Sequence, residues 1–286
     1  MIGRTKDQRN RKVAMSLTEQ ELARRGDFER QYRDGQRPAV QAVERAVCGC
    51  DYGGTSWATR VEADQIIGAL DLGPGVSLLE VGAGSGWPAL YLAARAGCDV
   101  TLTDLPPGAL RTAMERAARD GLPGACQAGA ADAAHLPFRD ARFDAINHSD
   151  VLCCLVQKRE VLAECRRVIR PAGRMAFSVI YIVPGLSPVD HAAAVATAPA
   201  FAESEKSYPA LVAETGWTIR QRHDLTSAFM ANCREKVRAE EALRVELEPL
   251  TSAAEFDARH ARYRRRIGVL ERRHIRRELF VVDPAN

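Results

Sequence analysis

Short runs of apolar residues alternate along the chain with longer stretches in which apolar residues recur every three or four positions. The runs predict buried strands, and the longer stretches predict amphipathic helices. This alternation predicts an α/β protein in which helices cover both faces of a parallel sheet. In chain order, strands are predicted from Leu78 and at about 99–104, 125–130, 143–147 and 174–182, and helices at about 60–70, 108–120 and 151–169.

The chain departs from this alternation in its last third. Residues 184–207 are rich in proline, alanine and serine, which predicts a lid of loops or short helices. A helix at 208–215 and strands at 217–225 and 277–282 follow. The helical region of about 227–273 between these two strands is too long for a simple hairpin connection, and we expect a substrate cap there.

The N-terminal part precedes the predicted sheet. Residues 1–15 are polar and basic without a regular period, which predicts a disordered arm, and Met15 is an alternative natural start. A short helix is predicted at about 16–26, where a glycine ends it, and a second helical stretch at about 27–47 is interrupted around residues 35–38. We expect these helices to cover the active face of the sheet.

A glycine-rich turn follows the first predicted strand. Gly82, Gly84 and Gly86 stand at alternate positions after Glu80, before a helical stretch. Glycines at such a turn let the backbone approach a ligand, and the helix that follows offers unpaired N–H groups. Asp104 ends the second predicted strand, where a carboxylate suits the two vicinal hydroxyls of a ribose. NAD and S-adenosylmethionine both carry such a ribose. The third glycine comes one residue earlier than in the fingerprint of dinucleotide-binding proteins, which disfavours NAD. The remaining alternative is a glycine turn that binds no ligand.

Several motifs in succession resemble those of the class I S-adenosylmethionine-dependent methyltransferases, most closely the branch that methylates small molecules. The resemblance covers about residues 52–284 and implies a Rossmann-like doubly wound sheet, mostly parallel with a closing antiparallel strand. It also implies that the glycine turn meets the methionine part of the cofactor, that Asp104 holds the ribose and that Asp132 meets the adenine amino group. The motifs are Glu80-Val-Gly-Ala-Gly-Ser-Gly86, Asp104, Ala131-Asp132-Ala133 followed by Leu136-Pro-Phe138, and Phe143-Asp-Ala-Ile-Asn147.

The segment Cys48-Gly-Cys-Asp-Tyr-Gly-Gly-Thr-Ser-Trp57 suits a turn that closes over a ligand. The resemblance places Tyr52 and Trp57 near the carboxylate of the cofactor, and the alternative is that Trp57 fills the core under the N-terminal helices. The Cys-x-Cys pair has no second pair at zinc spacing, so no metal site is predicted. The cofactor-binding residues predicted in this way are Tyr52, Trp57, Glu80, Gly82, Ala83, Gly84, Gly86, Asp104, Leu105, Asp132, Ala133 and Asn147.

A catalytic base is expected in the loop after the fourth strand. Methyl transfer from a sulfonium depends mainly on alignment of the acceptor, and a base helps if the acceptor is a hydroxyl or a protonated amine. His148 is the first candidate, because an imidazole titrates near neutral pH, and Asp150 is the second, as a base or as the partner of a cationic amine. Alternatively, His148 only lines the cofactor pocket and Asp150 caps the next helix. Many relatives carry a histidine where Cys153-Cys154 stands here, and His191 in the lid is a further candidate.

Composition agrees with a globular protein of one large domain. The chain has 286 residues, of which 46% are hydrophobic and 27% charged, and a net charge of +3, too small to indicate a nucleic-acid or membrane partner by itself. No apolar run approaches the length of a membrane span, and the first residues lack the apolar core of a signal peptide. The eight cysteines have no framework spacing, which predicts reduced thiols in a cytoplasmic protein.

An arginine-rich stretch near the end of the predicted cap suggests a second kind of partner. Clustered arginines are typical of RNA or DNA binding, but acidic neighbours and the lack of an aromatic ladder favour a solvated helix face. The arginines are Arg262, Arg264, Arg265, Arg266, Arg272, Arg273, Arg276 and Arg277.

The sequence therefore predicts an S-adenosylmethionine-dependent methyltransferase that acts on an oxygen, nitrogen or carbon of a small molecule, as a monomer or homodimer. The alternatives are an RNA or protein methyltransferase that uses the arginine-rich helix, a nicotinamide-dependent dehydrogenase, and a non-catalytic protein that binds the cofactor. The predicted organisation is a basic arm at 1–15, a helical segment with a covering loop at 16–58, a core at 59–226 with its lid at 184–207, a helical cap at 227–275 and a final strand and tail at 276–286.

Overall fold

The computed structural model describes residues 19–285, so the predicted arm at 1–15 and the alternative start at Met15 lie outside the described residues. The chain begins there with helices α1, Glu19–Gly35, and α2, Pro38–Cys48. The predicted helix end near Gly26 is wrong, because α1 continues through a glycine whose cost inside a helix is only about 1 kcal/mol relative to alanine. The predicted break at 35–38 is confirmed, since Arg37 is extended and Pro38 opens α2.

Within the described chain, seven strands form one sheet in the order β3-β2-β1-β4-β5-β7-β6. The strands from β3 to β5 pair in parallel, and β7 runs antiparallel to both β5 and β6. The predicted α/β class, with a doubly wound and mostly parallel sheet and a closing antiparallel strand, is confirmed. The strands are β1, Ser77–Val81; β2, Asp99–Asp104; β3, Cys126–Ala130; β4, Phe143–Ser149; β5, Ile169–Ile182; β6, Trp217–Asp224; and β7, Ile275–Pro284.

Helices cover both faces of this sheet and bury a hydrophobic core on each. Leu79, Phe177 and Phe280 belong to one core, and Leu78 and Val281 belong to the other. None of the described helices is long and apolar enough to cross a membrane. The remaining helices are α3, Arg60–Ala69; α4, Ala89–Ala96; α5, Pro107–Asp120; α6, Lys158–Val168; α7, Pro188–Val195; α8, Tyr208–Glu214; α9, Thr226–Ala242; α10, Arg244–Leu247; and α11, Ala253–Glu271.

Two boundaries differ from the sequence prediction next to the site. Strand β4 continues to Ser149, so His148 belongs to the strand and not to the loop after it. The predicted helix at 151–169 is divided into a 3-10 turn, Leu152–Cys154, and helix α6, because Leu155 between them is extended. These changes move the first predicted catalytic residue into the interior of the sheet.

The arginine-rich stretch is only partly a solvated face, so that prediction is wrong for two of its members. Arg277 lies in β7 without exposed surface, and Arg266 is 7% exposed. Arg266 is held by a hydrogen bond from its Nε to the carbonyl oxygen of Thr197, 2.6 Å away. Buried polar partners, which a sequence pattern does not reveal, therefore decide which arginines face solvent. Those that remain exposed include Arg264, Arg265 and Arg272.

The strand order fixes the place of the candidate site. The chain places β2 and β3 on one side of β1 and β4 and β5 on the other, so the order reverses between β1 and β4. In sheets of this kind, ligands bind beyond the carboxyl ends of the strands at such a reversal. The predicted motifs lie at these ends: the glycine turn follows β1, Asp104 ends β2, Asp132 follows β3, and Asn147 lies near the end of β4.

Candidate cofactor and active site

The turn after β1 requires glycine at three positions for reasons within the protein itself. Gly82, Gly84 and Gly86 have φ angles of 71°, 52° and 104°, a region that other residues rarely adopt. A Cβ at Gly82 would lie 2.5 Å from the Cγ2 of Val151, and one at Gly84 would lie 2.7 Å from the ring of Tyr32. The glycines thus allow the turn to pack directly against neighbouring side chains. This packing is a second reason for glycine at these positions, besides the approach of a ligand that the sequence predicts.

Tyr32 of α1 covers this turn, and the sequence analysis did not identify it. Its side chain is 8% exposed, and its hydroxyl lies 3.3 Å from the Oγ1 of Thr55. Burial and the nearby charge of Asp104 raise the pKa of the Tyr32 phenol, so the hydroxyl stays protonated at neutral pH. Tyr32 and Thr55 therefore place two hydroxyl groups over the turn. No motif marks Tyr32, because its helix has no regular apolar repeat.

Replacing Gly84 with alanine is expected to cost more than its backbone conformation alone explains. Alanine at positive φ costs about 1 kcal/mol, and the new methyl group would also displace the Tyr32 ring. Gly121→Ala is the matched control, since Gly121 has a φ of 61° with nothing within 4 Å of the new Cβ. Chemical denaturation should show a larger loss of stability for Gly84→Ala than for Gly121→Ala. Equal losses would mean that Tyr32 moves away at no cost.

Asp104 is fixed at the end of β2, beside the glycine turn. Its Oδ2 accepts a hydrogen bond from the Gly84 N–H at 2.6 Å, and its Oδ1 accepts one from the Leu105 N–H at 2.7 Å. Burial raises the pKa of Asp104 to about 6, although these two hydrogen bonds act in the opposite direction. Each carboxylate oxygen retains capacity for another donor. The group is therefore oriented to accept two hydroxyl groups of a ligand.

Asp132 and Ala133 lie in the turn that follows β3. The Oδ1 of Asp132 accepts a hydrogen bond from the Ala134 N–H at 2.9 Å, and its Oδ2 lies 3.3 Å from the Nδ1 of His135. The Ala131 N–H donates to the carbonyl oxygen of Asp104 at 3.0 Å, which ties this turn to the end of β2. Asp132 is partly exposed at the same edge as Asp104. Its assignment to the adenine group stays a prediction.

Glu80 and Asn147 form a buried pair between β1 and β4. The Nδ2 of Asn147 lies 2.9 Å and 2.8 Å from the two carboxylate oxygens of Glu80. Burial raises the pKa of Glu80 well above its usual value, and the hydrogen bond from Asn147 offsets only part of this rise. Within residues 19–285, the buried polar atoms at this edge without a hydrogen-bond partner include the Oδ1 of Asn147 and the Oγ of Ser85 in the glycine turn.

The segment of residues 50–58, called the covering segment below, lies against the glycine turn, because a Cβ at Gly54 would lie 3.7 Å from the Oγ of Ser85 and the Nε1 of Trp87 donates to the carbonyl oxygen of Ala58 at 2.7 Å. The carboxylate of Glu44 in α2 accepts hydrogen bonds from the N–H groups of Gly53, at 2.6 Å, and Gly54, at 3.1 Å. The Nε2 of Gln36 donates to the carbonyl oxygen of Tyr52 at 2.9 Å. Backbone groups of the segment are thus bound by fixed side chains of the N-terminal helical region.

The two aromatic residues of the covering segment point in different directions. The Tyr52 ring lies 5.2 Å from that of Trp87, and the Arg116 guanidinium lies 3.6 Å above it. The Trp57 ring packs against Phe229 of α9, with ring centres 4.9 Å apart. Trp57 therefore joins the segment to α9. The assignment of Tyr52 and Trp57 to the cofactor stays a prediction that neither ring contact supports.

His148 is enclosed in the core next to β5. It has no exposed surface, its ring stacks on Phe177 with centres 5.0 Å apart, and neither ring nitrogen has a hydrogen-bond partner among the described residues. Burial lowers the pKa of His148 to about 3, so the imidazole is neutral at physiological pH. The ring has no exposed surface in this conformation, and its assignment as a catalytic base stays a prediction.

Asp150 is engaged by other residues of the protein. Its carboxylate accepts hydrogen bonds from the Nε of Arg277 at 2.9 Å, from the Oγ of Ser178 at 3.0 Å and from the Trp57 N–H at 3.2 Å. The sequence analysis missed Arg277, which it grouped with surface arginines. His191, the candidate in the lid, lies on α7 and pairs with Glu203 at 2.9 Å, with 47% of its side chain exposed.

Comparison with known proteins agrees with this fold. Residues 79–177, from β1 to β5, match the family model described as a methyltransferase domain. The methyltransferase GfsG of Streptomyces halstedii is 32% identical over 57% of this chain and 60% of its own, so this chain spans less than two thirds of that relative. The demethylmenaquinone methyltransferase of Corynebacterium urealyticum is 32% identical over 59% of this chain and 71% of its own. Among solved structures, the cyclopropane synthase MmaA2 of Mycobacterium tuberculosis shares the fold, with a TM-score of 0.74 at 14% identity over 90% of this chain and 97% of that one.

Proposed function

The chain belongs to the class I S-adenosylmethionine-dependent methyltransferases, and we propose that it transfers a methyl group to an oxygen, nitrogen or carbon of a small organic acceptor. The cofactor of this family supplies an electrophilic methyl group on a sulfonium. The protein's part in such a reaction is mainly to hold the donor and to align the acceptor.

The observation that carries this proposal is the orientation of Asp104 beside the glycine turn. Two backbone N–H groups fix its carboxylate at the end of β2, which leaves both oxygens able to accept the hydroxyl groups of a ribose. The unpaired Oγ of Ser85 and Oδ1 of Asn147 lie in the same turn and at the neighbouring strand end. These residues fit S-adenosylmethionine, whose ribose, amino and carboxylate groups can satisfy them.

The glycine turn and the residues around it each contact a different part of the cofactor in this proposal. The turn Gly82–Gly86 meets the methionine part of the cofactor, Asp104 holds the ribose and Asp132 meets the adenine amino group. Tyr32 of α1 and Thr55 of the covering segment cover the cofactor, and the Tyr32 ring beside Gly84 excludes water from the turn.

The acceptor is proposed to be a small molecule on two grounds. Helices α9 and α11 pack against each other and reach the covering segment through Trp57, which limits access to the edge of the sheet. The two relatives described above are also methyltransferases, and the name of one gives demethylmenaquinone, a small molecule, as its acceptor. The arginine-rich stretch supports a nucleic-acid acceptor less well, because Arg277 and Arg266 are buried in the fold.

Calorimetric titration of the purified protein with S-adenosylmethionine, S-adenosylhomocysteine and NADH tests the proposal. Binding of the first two without the third is expected, and methyl transfer can then be screened with radiolabelled S-adenosylmethionine and small acceptors. Binding of NADH alone would contradict the assignment of the cofactor. Cofactor binding without turnover on any acceptor would favour a non-catalytic binding protein.

Cofactor affinity is expected to fall in mild acid. Burial raises the pKa of Asp104 to about 6, and the ribose hydroxyls donate to its ionised form, so protonation removes the acceptor that binding needs. Affinity should be constant near pH 7 and should decrease by up to about tenfold per pH unit below 6. Calorimetry between pH 7 and pH 5 measures this dependence. Asp104→Asn is the control, because its weaker binding should vary little over that range.

A further inference from the structure

A single guanidinium lies at the centre of a buried polar cluster beneath the covering segment. The Nε of Arg277 donates to both carboxylate oxygens of Asp150, at 2.9 Å and 3.2 Å, and its Nη1 donates to both oxygens of Glu62, each at 2.9 Å. Its Nη2 lies 3.3 Å from the Oγ of Ser178. The Arg277 side chain has no exposed surface, and those of Glu62 and Asp150 are only 7% and 6% exposed.

The end of the covering segment lies between the two acidic residues that bind Arg277. The Oδ2 of Asp150 accepts a hydrogen bond from the Trp57 N–H at 3.2 Å. Glu62 lies in the first turn of α3, and its N–H donates to the Oγ1 of Thr59, which caps that helix. Residues 57–62 thus connect two groups that share one guanidinium, and a shift of this stretch would break the Trp57–Asp150 hydrogen bond or the Glu62–Arg277 ion pair.

The backbone of Asp150 adds to this constraint. Its φ of 59° lies in the left-handed region, which aspartate tolerates better than most residues, and its N–H donates to the carbonyl oxygen of Ser178 at 3.0 Å. The carboxylate is therefore directed at Trp57 and Arg277 by the strand end itself. An aspartate held in this way has no free oxygen with which to approach an acceptor.

The ion pairs of Arg277 are not needed merely to hold β7 in the sheet. Arg222 of β6 already joins Glu278 of β7 through hydrogen bonds of 2.9 Å and 3.0 Å, within one pair of strands. The partners of Arg277 come instead from α3, from the end of β4 and from β5. A cluster that unites these three elements defines the position of the segment that covers the glycine turn.

We propose that Arg277 is a positioning residue that, through Asp150 and Glu62, fixes the covering segment over the cofactor site before the cofactor binds. The part of this proposal that concerns the cofactor rests on the proposed function. Asp150, predicted as a base, has this positioning role instead.

The test compares Asp150→Gly and Arg277→Lys with Arg222→Lys as the matched control. Glycine keeps the left-handed backbone and leaves Glu62 to neutralise Arg277, so Asp150→Gly is expected to fold. Lysine keeps the charge of Arg277 but loses the fork that binds two carboxylates at once. Hydrogen exchange of the peptides that cover residues 50–60 is measured in the free proteins, together with Tm and the Kd for S-adenosylhomocysteine.

Exchange in residues 50–60 is expected to accelerate at least tenfold in Asp150→Gly and in Arg277→Lys, with a Kd at least tenfold higher. Arg222→Lys should lower Tm while exchange of this segment and the Kd remain as in the wild type. Unchanged exchange in the two folded variants, or equal acceleration in the control, would overturn the proposal. If the wild type binds neither S-adenosylmethionine nor its demethylated product, the proposed function fails, whereas the exchange data still decide the role of Arg277.

Discussion

Replacing Asp104 with alanine is expected to weaken the binding of S-adenosylmethionine by about 2–4 kcal/mol, or roughly 30- to 1,000-fold in Kd. The variant loses the charge-assisted hydrogen bonds to the ribose. It also releases the Gly84 N–H, which the Oδ2 of Asp104 binds at 2.6 Å, so the glycine turn loses one of its hydrogen bonds to β2 and keeps the one from the Ala83 N–H to the carbonyl oxygen of Thr103. Calorimetry with S-adenosylmethionine and S-adenosylhomocysteine measures the loss.

A second aspartate in the same strand provides the control for this experiment. Asp99 opens β2 at the opposite end, and its Oδ1 accepts a hydrogen bond from the Ala125 N–H at 2.8 Å. Asp99→Ala should reduce stability slightly and leave the affinity for the cofactor unchanged. Wild-type affinity in a folded Asp104→Ala variant would reject the assignment of Asp104 to the ribose.

Replacing Arg277 with methionine is expected to lower the free energy of unfolding by about 3–5 kcal/mol. Methionine fills much of the same volume, but it leaves the carboxylates of Asp150 and Glu62 in the interior without the cation that neutralises them. Burial already raises the pKa of Glu62, which the charge of Arg277 partly offsets, so one of the two carboxylates should take up a proton in the variant. Urea denaturation measures the stability.

An exposed ion pair on the neighbouring strand is the control for Arg277→Met. Arg220 lies 3.4 Å from Asp283, with side chains 50% and 35% exposed. Arg220→Met should cost less than about 1 kcal/mol, because pairs near solvent contribute little to stability. A similarly small loss for Arg277→Met would show that the buried cluster is not held together by its charges.

The sequence could predict those parts of the site whose structure is determined by residues close to one another in the chain. Alternate glycines between an apolar run and a helical stretch predict a tight turn from strand to helix. Asp104 is the last residue of a predicted strand, so its place at the end of that strand can also be predicted. The parallel order of the strands then brings Asp104, Asp132 and Asn147 to one edge of the sheet. The first two relations follow from local spacing, and the third follows from the rule that the carboxyl ends of parallel strands meet at one edge of a sheet.

The parts that could not be predicted depend on contacts between distant segments. Tyr32 meets Gly84 only because α1 folds across the turn, and nothing in a polar helix distinguishes this tyrosine from others. His148 seemed available because its strand was expected to end two residues earlier than it does. Arg277 resembled its exposed neighbours in composition, whereas burial and two carboxylates determine its actual place.

The long separation of the contacts around Arg277 has a consequence for the order of folding. Glu62 and Arg277 are 215 residues apart in the chain, so their ion pair forms only after β7 has been synthesised. The glycine turn, Asp104 and the parallel strands precede it and can assemble earlier on the ribosome, because domains fold as their segments emerge. A nascent chain that ends before β7 would therefore expose a cofactor edge whose cover is not yet fixed. Competence to retain the cofactor is then acquired in one of the last steps of folding, when the closing strand enters the sheet.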